Sequence, residues 1–322
     1  MSQHWSSIAE RGNQFGIQCL LFLYRIFGKT LLKIVLLPVI IYFFITGSTS
    51  RRYSKIFLTN AFKLRHSKGL STQSRPSIYD GIKHFMSFGL SAFDKIDSWL
   101  GNISPNQITY KNYALFNHLI EQKRGAIFIG SHLGNLEVCR ALGQGKYAIR
   151  INVLVFTQHA EAFNKVLGQL NDDADLNLIQ VTQVGPDVAI MLKDRVDKGE
   201  FVVIVGDRTP INNPGRVSTV DFMGKPAPFS QGPLILASVL ECPVYLLFCL
   251  REKRGFKVIF ENFAIPKLVL PRKNRQEILS TYCQKFAHRL EHYACLYPHQ
   301  WYNFFDFWQQ DITSVAKENE VK

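Results

Sequence analysis

Short apolar runs alternate with helical patterns along most of the chain, an arrangement typical of a sheet covered by helices. The runs are rich in β-branched and aromatic residues, and the run 201–205 is wholly apolar, as expected for a strand inside a parallel sheet. We therefore predict an α/β fold with a central mixed β-sheet flanked by helices. The predicted strands are residues 126–129, 151–156, 176–180, 201–205, 243–250 and 257–260. The predicted helices of this part are residues 78–100, 112–122, 188–196, 234–240 and 276–297.

The helix 78–100 has the clearest amphipathic pattern. Its apolar positions recur at helical spacing and define one face, whereas His84 lies off that stripe and is predicted to be solvated. The residues of the apolar face are Ile82, Phe85, Met86, Gly89, Phe93, Ile96 and Trp99.

The N-terminal stretch is apolar, with basic residues embedded in it. Arg25, Lys29 and Lys33 recur at four-residue spacing, and residues 34–46 are uncharged with Pro38 among them. That uncharged run is shorter than the roughly 20 residues needed to span a bilayer. It favours an interfacial or shallowly inserted helix, kinked at Pro38. A single spanning helix and a buried core helix remain as alternatives.

These patterns divide the chain into three parts. Residues 1–50 are predicted to be a membrane-binding helical extension, residues 51–310 the main domain, and residues 311–322 a frayed tail.

Charge and cysteine content narrow the class of protein. The net charge is +13, and eleven Lys and Arg residues precede Asp80 against a single acid, Glu10. Such a segment suits an anionic surface, and its apolar neighbours favour lipid over nucleic acid, for which the chain carries no binding signature. The six cysteines form no Cys-x-x-Cys pair, so we expect free thiols in a reducing compartment.

The most informative polar residues follow the apolar run 126–129. Gly130 and Ser131 end that run, His132 comes next, and Glu137 follows after four intervening residues, at the start of a helical pattern. A histidine takes a proton from a hydroxyl efficiently when a carboxylate bonded to its other ring nitrogen fixes its tautomer. The spacing therefore favours His132 as a general base oriented by Glu137. The alternative is that Glu137 is an ordinary first-turn acid complementing the helix dipole.

Two neighbouring residues of the same segment suggest a substrate contact. Gly134 would let a substrate approach the backbone closely, and free N–H groups of the helix that begins after Asn135 suit a phosphate or an oxyanion.

The string His-Leu-Gly-Asn-Leu-Glu at residues 132–137 resembles the first block of the glycerolipid and lipid A acyltransferase superfamily, in its late lipid A acyltransferase branch. That resemblance implies transfer of a fatty acyl chain from acyl carrier protein or CoA to a hydroxyl. It implies that histidine activates the acceptor directly, with no serine or cysteine nucleophile.

Later segments are similar to further blocks of the same superfamily. Polar residues of the second block contact substrate in the relatives, and His159 and Asn164 match them loosely; capping of a helix N-terminus is their alternative. Asp207 and Arg208, at the end of the run 201–205, match the third block, which implies substrate binding, with Arg208 on a phosphate. The alternative is a simple turn ion pair between the two. The relatives also end their domain with a Gln-Trp segment like that at residues 300–301.

The resemblance therefore implies an O-acyltransferase acting on a lipid or glycolipid at the cytoplasmic face of a bacterial inner membrane. Its partners would be an acyl carrier protein or CoA thioester, the acceptor and the membrane, with no metal or redox cofactor. Transfer to a specialised lipid, such as an aryl-polyene lipid, and a non-catalytic lipid-binding role remain open. His288 and His292 are four residues apart, but such pairs are mostly surface polar groups, so no metal site is predicted.

Overall fold

The computed structural model describes residues 14–139, 150–155, 176–180, 185–210 and 215–308. The helices in these parts are α1 (Gln14–Thr46), α2 (Ser48–Ser67), α3 (Ile78–Trp99), α4 (Tyr113–Glu121), α5 (Pro186–Asp197), α6 (Gly232–Leu240) and α7 (Arg275–Leu296). Short 3-10 turns lie at Pro105–Gln107, Leu136–Cys139 and Pro298–Gln300. The strands are β1 (Ile108–Lys111), β2 (Ala126–Gly130), β3 (Ile151–Val155), β4 (Leu176–Gln180), β5 (Phe201–Val205), β6 (Val217–Phe222), β7 (Lys225–Ser230), β8 (Val244–Glu252) and β9 (Gly255–Ala264).

Seven strands form the central sheet in the order β1-β9-β8-β2-β5-β3-β4. The β8–β9 pair is antiparallel and the other neighbouring pairs are parallel, so the predicted mixed sheet is confirmed. Ile127 and Ile129 of β2 join one apolar core, and Ala126 and Phe128 join the other. Because strand side chains alternate between faces, both faces of β2 are buried, which explains its uninterrupted apolar sequence.

The strand register places two polar segments at the same edge of the sheet. β2 and β5 pair in parallel, with Gly130 opposite Val205 at their carboxyl ends. The residues that follow, His132 after β2 and Asp207 after β5, therefore leave the sheet side by side, as the apolar runs predict. This edge is where open α/β sheets bind ligands.

A third apolar cluster joins α1 to α3. Leu36, Ile40 and Phe44 of α1 are buried against Phe85 and Phe93 of α3. Gly89 permits this close packing, since a Cβ atom there would lie 3.0 Å from Ile40 Cδ1. From Leu32 to Phe44, α1 is therefore packed on the rest of the protein along one face, as the core-helix alternative expects in part.

The opposite face of α1 remains apolar and exposed. Its exposed side chains include Ile34 and Ile45, each 64% exposed, together with Leu37, Ile41 and Tyr42. The backbone is non-helical at Gly28, where φ is 69°, whereas Pro38, the predicted kink, lies inside the helix. Among the described residues, no single helix is long and apolar enough to cross a bilayer, but Leu32–Thr46 and Ser48–Ser67, bent by 93°, meet both criteria together.

The described cysteines are five buried free thiols, as the sequence predicts.

The prediction that His84 is solvated is wrong, because its side chain is 0% exposed. The reason is that α3 is covered on more than one side: Ser54 of α2 and the segment around Trp301 contact His84, while α1 covers the apolar stripe.

Candidate active site

The loop that follows β2 is held on both sides by backbone hydrogen bonds. Gly134 N donates to Gln300 O at 2.8 Å, and Asn135 N donates to Cys249 O at 2.8 Å. Gly134 has φ +78°, and a Cβ atom there would lie 1.9 Å from Cys249 O. Glycine is therefore required by the approach of the β8 backbone and by its left-handed conformation. The substrate approach predicted at Gly134 is replaced in the structure by this contact within the protein.

His132 is paired with a carboxylate that is distant in sequence. Its Nδ1 lies 2.9 Å from Asp207 Oδ1, and its backbone N donates to both carboxylate oxygens at 3.0 and 3.1 Å. An ionised carboxylate is an acceptor, so Nδ1 carries the proton and Nε2 of the neutral ring has a free lone pair. Within the described residues, Nε2 has no hydrogen-bond partner, and 41% of the side chain is exposed.

Asp207 is fully buried and is held by a second side chain. Its side chain is 0% exposed, and Trp301 Nε1 donates to Oδ2 at 2.8 Å. Burial alone would raise the pKa of Asp207, but the His132 ring, the Arg208 charge and the Trp301 N–H hold that pKa well below its usual range. The carboxylate is therefore ionised at any working pH, and it fixes the His132 tautomer; being fully buried, it does not have the substrate-binding role that the resemblance implies.

The environment of His132 favours its neutral form. Burial among protein atoms is the largest cause of a lowered pKa, and the positive charges of Arg208 and Lys95 add to it; Asp207 opposes them. The exposed part of the ring admits solvent, which screens these charges. A neutral ring with a free Nε2 lone pair can accept a proton from a hydroxyl that enters the site.

Arg208 stands beside this pair but does not form the turn ion pair left open by the sequence. Its Nη2 donates to Tyr302 O at 3.0 Å, its Nη1 lies 3.4 Å from Asn303 Oδ1, and its guanidinium carbon is 4.5 Å from the Phe305 ring centre. The guanidinium is thus held by the C-terminal segment as a fixed positive charge near His132. Such a charge can stabilise an anion that develops at the site.

The Ser131 hydroxyl, adjacent in sequence to His132, and the Cys249 thiol, whose backbone bonds the His132 loop, are poor nucleophiles. The Ser131 side chain is 3% exposed and its Oγ accepts from Leu133 N. Cys249 is 0% exposed, and burial raises its pKa well above the usual range, so its thiol stays protonated. The arrangement is therefore suited to activating an external hydroxyl rather than a side-chain nucleophile.

Three predicted roles differ from what the structure shows. The predicted orienting role of Glu137 is wrong, because the carboxylate on His132 Nδ1 is that of Asp207. Asn135 is 5% exposed, its amide bridges Ser91 O and Glu137 N, and it supports the loop. The N–H groups of residues 132–135 and 137 all donate within the protein, so none of these five is a free donor of the kind predicted for an anion. A place for Glu137 in the site stays a prediction.

His159 and Asn164 lie outside the described residues.

The sequence does not identify two residues of the site, Trp301 and Lys95. Trp301 is predicted only as part of a Gln-Trp segment. Lys95 lies on α3 between Ser91 and Ser98, which both bond the His132 loop. Residues 301–308 are rich in aromatic side chains, which is the sequence signal for Trp301. That signal does not indicate a hydrogen bond to Asp207. Among the described residues, no group of three or more His, Cys, Asp or Glu side chains could hold a metal ion.

We expect activity to fall in acid with an apparent pKa below the ordinary histidine value of about 6.5. The base works when neutral, and its lowered pKa keeps it neutral to lower pH. The measurement is kcat/KM against pH. Lys95→Met removes one of the charges that lower this pKa, so the acid limb should move to higher pH. An acid limb above the ordinary value in the wild-type protein would contradict the electrostatic account.

The chain was compared with known protein families and with curated proteins. A family model described as bacterial lipid A biosynthesis acyltransferase matches residues 89–310, which include the second half of α3, the His132 loop, Asp207 and the C-terminal segment. A search of curated proteins found no match.

Proposed function

The chain belongs to the bacterial lipid A biosynthesis acyltransferase family, and we propose that it transfers a fatty acyl chain from an acyl carrier protein or CoA thioester to a hydroxyl of a lipid A-like glycolipid. Members of this family are acyltransferases, and acyl transfer to a lipid acceptor follows from membership. The thioester donor and the glycolipid acceptor are our proposal. The observation that carries it is the accessible His132 ring, whose Nδ1 is fixed by the buried Asp207 carboxylate.

In the proposed reaction, His132 Nε2 takes the proton of the acceptor hydroxyl as the oxygen attacks the thioester carbonyl. A tetrahedral intermediate forms, and its negative oxygen is stabilised by the nearby Arg208 guanidinium. The C–S bond then breaks, an ester is formed, and the departing thiolate takes the proton from the imidazolium. Asp207 stays ionised throughout and stabilises that imidazolium. Protons and electrons balance with no further reactant.

The proposal is tested by lipid mass spectrometry of a deletion strain of the source bacterium. We expect a lipid that lacks one acyl chain to accumulate, and the wild-type gene to restore the missing mass. The same strain carrying a His132→Asn gene should keep the short lipid. An unchanged lipid profile on deletion, or full restoration by the His132→Asn gene, would refute the proposed function.

We further propose that α1 and α2 attach the protein to the cytoplasmic face of the inner membrane. The support is the exposed apolar face of α1 together with the basic residues of this region. Two of these basic residues are engaged inside the protein: Arg51 donates to Phe44 O and Ile45 O, and Arg65 donates to Cys295 O. Apolar contact should therefore matter more than the charge count suggests.

The combined change of Ile34, Ile41 and Ile45 to Gln should weaken vesicle binding at least about tenfold, since burying one such side chain contributes about 1.5–3 kcal/mol. The measurement is flotation with phosphatidylglycerol-containing vesicles, with and without about 0.5 M salt, where the Debye length is only a few ångströms. The matched control is Ile190→Gln, at an isoleucine of α5 that is 63% exposed. Equal flotation of the triple variant and the control would rule out the α1 face as the attachment surface.

A further inference from the structure

Trp301 occupies a position from which it cannot turn without disturbing the core. Its side chain is 0% exposed, and its ring packs edge-on against Phe57 of α2, Phe222 of β6 and Phe307, with ring centres 4.8–5.2 Å apart. The indole N–H is therefore aimed at Asp207 Oδ2 in a fixed direction. A buried indole N–H without a partner would be costly, so the contact is strongly favoured.

The backbone of Trp301 is fixed as firmly as its ring. Leu133 and Trp301 form an antiparallel bridge, in which Tyr302 N donates to His132 O at 3.2 Å and Gly134 N donates to Gln300 O. The Gln300 side chain also bonds the Arg251 backbone on both sides, accepting from N at 2.8 Å and donating to O at 2.7 Å. The backbone on either side of Trp301 is therefore joined directly to the loop that carries His132.

Buried His84 holds the Trp301 backbone by a further hydrogen bond. Its Nε2 lies 2.9 Å from Trp301 O, and its Nδ1 lies 2.8 Å from Ser54 Oγ of α2. A carbonyl oxygen can only accept, so Nε2 carries the proton and Nδ1 accepts from the serine hydroxyl. Burial lowers the pKa of His84 to about 3, so this neutral tautomer persists across the working pH range.

We propose that Trp301 is a positioning residue for the reaction: its indole N–H holds one oxygen of Asp207 so that the other oxygen accepts the hydrogen bond from Nδ1–H of His132, and buried His84 holds Trp301 in place. A continuous line of hydrogen bonds then runs from Ser54 through His84, Trp301 and Asp207 to the base. The inference rests on the proposed role of His132, but the effect of these hydrogen bonds on the His132 tautomer can be measured without any turnover.

The first test is Trp301→Phe against Trp308→Phe. Both tryptophans lie in one aromatic cluster, but Trp308 Nε1 donates to Phe222 O instead of Asp207. With a fatty acyl-CoA and the lipid extract of the deletion strain in detergent micelles, thiol release should show kcat reduced about tenfold or more for Trp301→Phe, with little change in KM. Trp308→Phe should retain wild-type kinetics. Equal effects of the two changes would overturn the proposal.

The second test reads the tautomer without any turnover. In protein labelled with nitrogen-15 histidine, we expect the ring signals assigned to His132, by their absence from His132→Asn, to report an Nδ1-protonated ring. Trp301→Phe should move this signal toward a tautomer mixture, and Trp308→Phe should leave it unchanged. An unmoved His132 signal in a folded Trp301→Phe protein would refute the positioning role, whatever the acyl-transfer assays show.

The third test concerns His84. Glutamine can place an amide N–H where Nε2 of His84 donates to Trp301 O, whereas leucine fills the space without a donor. We expect His84→Leu to disturb the His132 ring signal and lower kcat, and His84→Gln to recover most of both. If Gln and Leu variants of equal thermal stability behave alike, His84 does not act through this hydrogen bond.

Discussion

His132→Asn is expected to lower kcat by about 10²–10⁴-fold, the usual contribution of a general base. Asparagine is the sharpest replacement because its amide nitrogen can take the place of Nδ1 and keep the hydrogen bond to Asp207 Oδ1, while nothing replaces Nε2. The buried carboxylate then retains its partners, so the thermal midpoint should change little. The measurement is thiol release under saturating donor and acceptor. Near-wild-type turnover would show that another group accepts the proton.

Asp207→Asn is expected to cost a similar factor, about 10²–10⁴-fold in kcat, by imposing the wrong tautomer. Trp301 N–H and His132 N–H both donate to Oδ2, so the single amide oxygen of asparagine should take that position. Its NH₂ group would then face Nδ1, which must become an acceptor, and Nε2 would carry the proton. The loss of the negative charge that raises the His132 pKa should also move the remaining acid limb to lower pH.

Glu137→Gln is the matched comparison for this carboxylate. Because Asp207 and not Glu137 lies on Nδ1, Glu137→Gln should leave the acid limb where it is in the wild-type protein. The opposite result would be a large loss of kcat and a shifted acid limb for Glu137→Gln, with a normal kcat and pH profile for Asp207→Asn. That result would make Glu137 the carboxylate that orients His132.

The edge of the sheet that carries the site was predictable because the signal is local. The apolar runs of β2 and β5 each end in glycine and polar residues, and parallel strands bring such ends together. The partner of His132 was not predictable in the same way. Its spacing to Glu137 is local, whereas Asp207 lies 75 residues away and reaches it only through the β2–β5 register.

The role of a residue that packs against several elements at once is also hard to predict, as His84 shows. An amphipathic stripe identifies the face of α3 that meets α1, but it does not show that His84, on another face, meets α2 and the C-terminal segment. At Gly134 the sequence correctly predicts a position that needs a residue without a side chain.

The group that approaches Gly134 is not a substrate but the Cys249 carbonyl. Sequence indicated a close approach there and could not identify its source.

The N-terminal region shows why the proposed attachment is tested by surface changes instead of truncation. Removing α1 would uncover Phe85 and Phe93 of α3, so loss of binding could follow from loss of folding. Substitutions on the exposed face avoid that ambiguity, because Ile34 and Ile45 are each 64% exposed and lie outside the α1–α3 cluster.

We propose above that the His132–Asp207 pair activates an acceptor hydroxyl against a thioester. This proposal is tested most directly by incubating the purified full-length protein with a radiolabelled fatty acyl thioester and the lipid extract of the deletion strain. The assay measures released thiol and label in extractable lipid ester together. We predict equal molar amounts of the two in the wild-type protein, with both lost in parallel in His132→Asn and Asp207→Asn. Transfer of label to lipid at the wild-type rate by either variant, or thiol release without an ester product, would refute the proposed role of the His132–Asp207 pair.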